Sequence, residues 1–237
     1  MLTGAARVAN PCAACAVREQ AVCAALSPGR LQRLIAIVTR VSFEPDQILF
    51  LEGEPDEYAF NISEGIARLS KMLSDGRRLV TAFVHPGDFI GLTPRHAYAC
   101  TAEAVTALRV CRFPKAGLQA FFRDNPGMER RVLAMASAEL WDAQSQLMLL
   151  GRKTARERLA SFLRNWPSRP LPSGKSAWVI DLPMTRTDIA DHLGLTPETV
   201  CRTFTALVKE GIVEMPLAER IILSRPDRLE EIAQGEA

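Results

Sequence analysis

The sequence predicts an α+β protein in which an N-terminal β-roll, a long helix and a C-terminal winged helix-turn-helix follow one another. Three observations predict it. Gly53, Gly65, Gly76 and Gly87 break β-prone runs at intervals of twelve, eleven and eleven residues. Leu133, Leu140 and Leu147 recur every seventh residue, with Ala136, Ala143 and Leu150 three later. The stretch Met184 to Gly211, MTRTDIADHLGLTPETVCRTFTALVKEG, has the spacing of two short helices held at a steep angle by a tight turn. The expected divisions are a cysteine segment over 1–28, the roll as sensor domain over 29–124, a dimerisation helix over 125–151 and a DNA-binding domain over 152–237.

At the N-terminus, PCAACAVREQAVC sets Cys12, Cys15 and Cys23 in a C-x2-C-x7-C arrangement where little else is available to pack. Paired thiolates two residues apart can chelate one metal centre, and soft thiolates select zinc, copper(I) or iron–sulfur clusters. A fourth ligand has to come from elsewhere, and Cys100, Cys111 and Cys201 are available. The alternative is that the three are small apolar residues of an alanine-rich stretch.

From about Arg40 to Phe122, EGEPDEY, SEGIARL, SDGRRLVTAFV and HPGDFIGL each place a turn signal beside a run able to alternate in and out, which is the pattern of an all-β roll or barrel. Asn125-Pro126 then opens a long helix. Leucines alternating with small alanines over three heptads form an a/d seam that favours a close partner helix, hence a homodimer.

In the last segment, RERLASFLRNW places Leu159, Phe162, Leu163 and Trp166 on one face of a helix stopped by Pro167. Thr185 caps the next helix together with Asp188, and Ile189, Ala190 and Leu193 form its apolar face. Gly194 supplies the turn. Thr196 and Pro197 are N-cap and N1 of a second helix with Val200, Phe204, Leu207 and Val208 as buried stripe and Gly211 as stop. Its other face carries Glu198, Thr199, Cys201, Arg202 and Thr205. An arginine there can pair with guanine O6/N7 and a carboxylate can accept from cytosine N4, so Glu198 and Arg202 are the expected base readers on double-stranded DNA. The plain alternative is an exposed Glu198–Arg202 ion pair on a helical hairpin. IVEMPLAERIILS reads as two strands around a Pro216 to Glu219 turn, a wing.

Composition bounds the rest. The 237 residues, 48% hydrophobic and 24% charged, suit two globular domains. The formal net charge is only +2, and residues 152–237 hold thirteen Lys and Arg against twelve Asp and Glu, so any basic footprint must come from local placement. No signal peptide and no apolar run near eighteen residues is visible, which predicts a cytoplasmic protein without a membrane partner and with its six cysteines as thiols, ligands or redox sensors. His85, His96 and His192 are isolated and suit polar or hydrogen-bonded roles.

Taken together, these segments resemble the CRP/FNR superfamily of bacterial transcription regulators over essentially the whole chain, with most likeness to FNR-type oxygen sensors and their FnrN and FixK relatives. The family's E-x-x-S-R motif stands here as Glu198-Thr-Val-Cys201-Arg202. The resemblance implies a roll like cyclic-nucleotide-binding domains and one [4Fe–4S] cluster per subunit on Cys12, Cys15, Cys23 and Cys111, the last carried by LRVCRFP, with Cys100 as its competitor. It further implies an oxygen-labile centre that supports a DNA-binding dimer, a palindromic target like TTGAT-N4-ATCAA, contact with RNA polymerase, and no enzymatic activity. Two departures carry expectations of their own. Cys201 replaces a serine and puts a thiol at the DNA surface, and GDFIGLTPRHAYACTAEA lacks the Gly-Glu and Arg-Ser/Thr pieces for a cyclic phosphate, so no cyclic nucleotide is expected. The alternatives are a regulator of FixK type with no cluster or with zinc, in which Cys201 is the redox-sensitive thiol, and, more remotely, a thiol oxidoreductase using Cys12 and Cys15.

Overall fold

The computed structural model describes Cys12, residues 15–170 and residues 178–236; the remainder of the cysteine segment's start lies outside the described residues. The chain forms two compact units, residues 1–69 with 83–138 and residues 70–82 with 139–237.

In the first unit a short 3₁₀ turn (Val22–Ala25) leads to α1 (Pro28–Ile35), which starts on a proline whose missing N–H costs a helix nothing at that position. The roll follows: β1 (Thr39–Phe43), β2 (Ile48–Phe50), β3 (Tyr58–Glu64), β4 (Ala67–Met72), β5 (Arg78–Val84), β6 (Phe89–Ile90), β7 (Thr101–Ala104) and β8 (Leu108–Pro114), of which residues 70–82, the end of β4 and most of β5, group with the second unit. Two four-stranded sheets result, in the orders β1-β8-β3-β6 and β2-β7-β4-β5. Gly65 makes the β3 to β4 reversal at φ +83°, where a Cβ would stand 2.3 Å from the Ala107 carbonyl oxygen. Ile62, Leu108 and Val110 fill the interior of the roll. A second apolar cluster joins Val22, Leu26, Leu31, Leu34, Phe113 and Met128, and Cys12, Cys23 and Cys111 pack against it.

The β-rich region is shorter than its composition suggests. Lys115–Asp124 is a helix, α2, rather than β structure. Leu118, Phe121 and Phe122 recur at i, i+3 and i+4, and that helical period outweighs the strand preference of the two phenylalanines. The long helix α3 (Pro126–Arg152) runs 27 residues, and Asn125 at its start donates from Nδ2 to the Phe121 carbonyl at 2.8 Å.

The second unit is built on α4 (Ala155–Asn165), capped reciprocally by Thr154 and Glu157. Leu159 and Leu163 are fully buried, and Trp166 donates from its indole N–H to the Asp181 carbonyl at 3.0 Å. A sheet ordered β11-β12-β10-β9 joins β11 (Val213–Leu217), β12 (Arg220–Leu223), β10 (Trp178–Asp181) and β9 (Arg169–Pro170), and α7 (Pro226–Gln234) closes the unit. The wing is therefore part of a larger sheet. Its turn is also tighter than expected. Pro216 lies inside β11, an edge strand where its lack of an N–H is tolerated, and only Ala218 and Glu219 connect the strands.

Candidate DNA-reading face and thiol site

The two helices of the expected helix-turn-helix are α5 (Arg186–Leu193) and α6 (Pro197–Lys209). Thr185 accepts the Asp188 N–H on its hydroxyl while Asp188 accepts the Thr185 N–H, each at 3.1 Å, so two orphan donors are satisfied at once. Gly194 ends α5 in the left-handed region at φ +61°, and a Cβ there would lie 3.2 Å from Leu150 Cδ2. Thr196 accepts the Thr199 N–H at 3.2 Å and starts α6.

Val200, Phe204 and Leu207 hold α6 against its unit, but Val208, expected in the same stripe, is 40% exposed. At 100° per residue, position 208 has turned past the edge of the row set by 200, 204 and 207. Glu198, Cys201, Arg202 and Thr205 are exposed and Thr199 is half-buried, so this face projects as one surface. Arg202 Nη2 stands 3.5 Å from the Thr199 hydroxyl.

Two arginines invisible to sequence spacing brace this unit. Arg186 lies over the Phe204 ring at 4.1 Å and donates to the Ala218 carbonyl at 2.7 Å, tying the wing's turn to α6. Arg158 donates to the carbonyls of Leu193, Gly194, Leu150 and Lys153 at 2.9, 3.3, 2.8 and 2.9 Å, so one guanidinium closes the C-terminal ends of α3 and α5.

The thiols gather elsewhere. In the β1-β8-β3-β6 sheet, Arg40, Cys111, Asn61 and Phe89 are successive register partners and so share one face. Asn61 Oδ1 accepts the Val22 N–H at 3.3 Å, which seats the turn carrying Cys23 on that row. Burial, opposed by Arg40 and reinforced by Cys12, Cys15 and Cys23, pushes the Cys111 thiol up to about 11. Burial also raises Cys23, with Cys12 and Cys15 adding to it, and raises Cys12, which the Arg40 charge and hydrogen bond oppose. Cys12, Cys23 and Cys111 thus share one neighbourhood, packed on the same apolar cluster. They are neighbours rather than a closed ligand shell, because among the described residues no three His, Cys, Asp or Glu side chains are grouped closely enough to hold an ion. Arg131 on α3 donates from Nη2 to the carbonyls of Glu19 and Gln20 at 3.2 and 2.7 Å, strapping the cysteine segment to the long helix. Cys100 lies just before β7 and is half-buried, and Cys201 is exposed on α6.

On α3, Leu133, Leu140 and Leu147 are 67%, 61% and 70% exposed. Ala136 and Ala143 are exposed as well, whereas Leu150 is half-buried beside Gly194.

Residues 157–232 match the Crp-like helix-turn-helix domain family and residues 40–125 the cyclic nucleotide-binding domain family. The chain is 39% identical over 222 residues to the nitrogen fixation regulation protein FixK of Bradyrhizobium diazoefficiens, covering 94% of this chain and 93% of that protein. The chain belongs to the CRP/FNR family of transcription regulators.

Other relatives in this family are the transcriptional activatory protein AadR of Rhodopseudomonas palustris, 40% identical over 92% of this chain and 91% of that protein, and the activator FnrL of Cereibacter sphaeroides, 33% identical over 95% and 93%. The solved structure of FixK2 from Bradyrhizobium japonicum superposes with a TM-score of 0.75 at 36% identity, covering 83% of this chain and 97% of that one. As a CRP/FNR regulator of FixK/FNR type, the chain is a DNA-binding protein, and α6 is the recognition helix of its helix-turn-helix. No helix among the described residues is long and apolar enough to cross a membrane.

Proposed function

We propose that this regulator responds to oxygen or redox state through a [4Fe–4S] cluster on Cys12, Cys15, Cys23 and Cys111, and binds a palindromic TTGAT-type site as a homodimer. The observation that supports the reading is the packing of Cys12, Cys23 and Cys111 against one apolar cluster, on a segment that Arg131 straps to the long helix. Four cysteine thiolates are the usual donor set of an iron–sulfur cluster, a group that supplies one-electron and oxygen-reactive chemistry when bound.

The chain's own residues do the rest. Arg40 supplies positive charge beside Cys12 and Cys111, which favours their thiolates. Asn61 and Arg131 fix the backbone of the cysteine segment against the sheet and against α3. Ordering that segment biases the start of α3, where Leu133 begins a leucine face left bare in the single chain. A ligand can shift a monomer–dimer balance only by interactions it makes preferentially with one state, and this strap is such an interaction. In the dimer the two α6 helices address half-sites about 34 Å apart, with Glu198 and Arg202 at the base edges. The protein acts by binding rather than by catalysis, and the exposed loops of the roll are the surface offered to RNA polymerase.

The experiment is purification without air followed by iron and sulfide analysis, absorption spectra and binding to a TTGAT-N4-ATCAA duplex before and after exposure to oxygen. About four irons and four sulfides per subunit are expected, with tight binding lost in air. Iron-free protein that binds equally well overturns the sensor reading.

A second reading, a cluster-free regulator of FixK type, is favoured by the 39% identity to FixK, and among the described residues the thiols form no ready-made shell. Under it, replacing Cys12, Cys15 and Cys23 by serine leaves DNA binding intact, and oxidation of Cys201 on the reading face abolishes it. A single zinc per subunit would instead mark the thiols as a structural site.

A further inference from the structure

Arg78, the first residue of β5, makes two contacts that helix formation does not require. Its Nη2 donates to Asp188 Oδ1 at 2.6 Å and its Nε to Asp191 Oδ2 at 2.8 Å. The Asp188 side chain is 2% exposed and those of Arg78 and Asp191 are 21% and 23% exposed, so the ion pairs are largely withdrawn from water. Two residues along the same strand, the Val80 carbonyl accepts from His192 Nδ1 at 2.9 Å. Burial lowers the pKa of His192, which makes the neutral ring with its proton on Nδ1 the form that donates there.

Positions 188, 191 and 192 are i, i+3 and i+4 on one face of α5. That helix is already capped without Arg78, since Thr185 and Asp188 satisfy each other's backbone donors. The extra pairs therefore serve placement rather than helix formation. Asp191 and His192 lie on α5, outside the base-reading surface of α6, so the contacts leave that surface free.

We propose that Arg78 is a positioning residue for DNA reading: by gripping Asp188 and Asp191 it fixes α5, and α6 behind it, in one attitude to strand β5, so that paired subunits accept a single half-site spacing. The proposal rests on the palindrome-reading homodimer proposed above. Losing Arg78 also strands a buried carboxylate, which is destabilising in itself. Asp191→Asn removes the charge of one of the two pairs while leaving the Thr185–Asp188 cap intact, and it is the decisive variant.

The full chain and its Arg78→Gln, Arg78→Lys and Asp191→Asn variants would be measured against TTGAT and ATCAA half-sites separated by three, four, five or six base pairs, and against one isolated half-site. The wild type is expected to prefer one spacing by at least about tenfold. Asp191→Asn and Arg78→Gln should reduce that preference to about twofold with the isolated half-site bound as before, and Arg78→Lys should restore part of it. A spacing preference unchanged in folded Asp191→Asn protein overturns the proposal. If the wild type itself shows no preference, the paired reading fails, and spin labels at Met72, on the strand beside β5, and at Arg228, both in the second unit, then decide the latch. Their distance distribution should broaden in Asp191→Asn, and an unchanged distribution overturns it.

Discussion

Cys111 and Arg40 face each other across the antiparallel β1–β8 ladder, which sets a thiol and a guanidinium side by side on one sheet face. Burial raises the thiol's pKa and the arginine's charge lowers it, and burial wins, carrying Cys111 from 9.0 to about 11. The same arginine reaches Cys12, so a single cation serves the strand and the N-terminal segment together.

In metal-free protein Cys111 should resist iodoacetamide at pH 8, because the thiolate is the nucleophile, and its rate should climb only as pH approaches about 11. The folded state holds this proton more tightly than the unfolded one. Its contribution to stability is therefore complete below the unfolded value of 9.0 and is lost as pH rises through about 11. Alkylation followed by mass spectrometry checks the rate, and urea midpoints at pH 8 and 10 check the linkage. Reaction at pH 8 as fast as in the unfolded chain would contradict the burial.

Arg131→Met removes the donor to the Glu19 and Gln20 carbonyls while keeping much of the apolar stem. Alkylation of Cys23 should quicken severalfold and the dimer fraction of the loaded protein should fall, with helix content by circular dichroism unchanged. An unaltered Cys23 rate would show that Arg131 does not order the segment.

Leu140 and Leu147 are exposed in the single chain, so charging them should not harm its own packing. Leu140→Asp with Leu147→Asp is expected to give a folded monomer by sedimentation equilibrium. The change in the monomer's unfolding free energy should stay within about 0.5 kcal/mol. Loss of binding to the paired site should accompany it, and a persistent dimer would place the interface elsewhere.

Arg202→Ala should cost roughly 1–3 kcal/mol of binding and relax the guanine preference at one position of each half-site. Competition with duplexes substituted at that position measures it. A uniform loss across all sequences would make Arg202 a phosphate contact.

The DNA-reading unit was largely legible in the sequence because its signals are local. Thr185 with Asp188, Thr196 with Pro197, and Gly194 act within four residues of where they stand, and the helices begin and end accordingly. Helix α2 was missed although Leu118, Phe121 and Phe122 carry a helical period, because the two aromatic residues and the preceding run also suit a strand. Arg78 and Arg158 could not be read at all. Arg78 meets Asp188 across 110 positions and Arg158 meets Leu193 across 35, and no spacing rule reaches so far. For the thiols, spacing singled out Cys12, Cys15 and Cys23, whereas the neighbourhood of Cys111 depends on the pairing of β8 with β1 and β3.

Arg158 makes the end of the long helix and the turn of the reader into one mechanical joint. Its planar fork is pinned to Leu150 on one side and to Leu193 on the other, so the reader cannot slide along α3 without releasing several hydrogen bonds, each worth about 0.5–1.5 kcal/mol. A turn about that rivet strains the same bonds, so the last turn of α3 and the recognition helix are carried together.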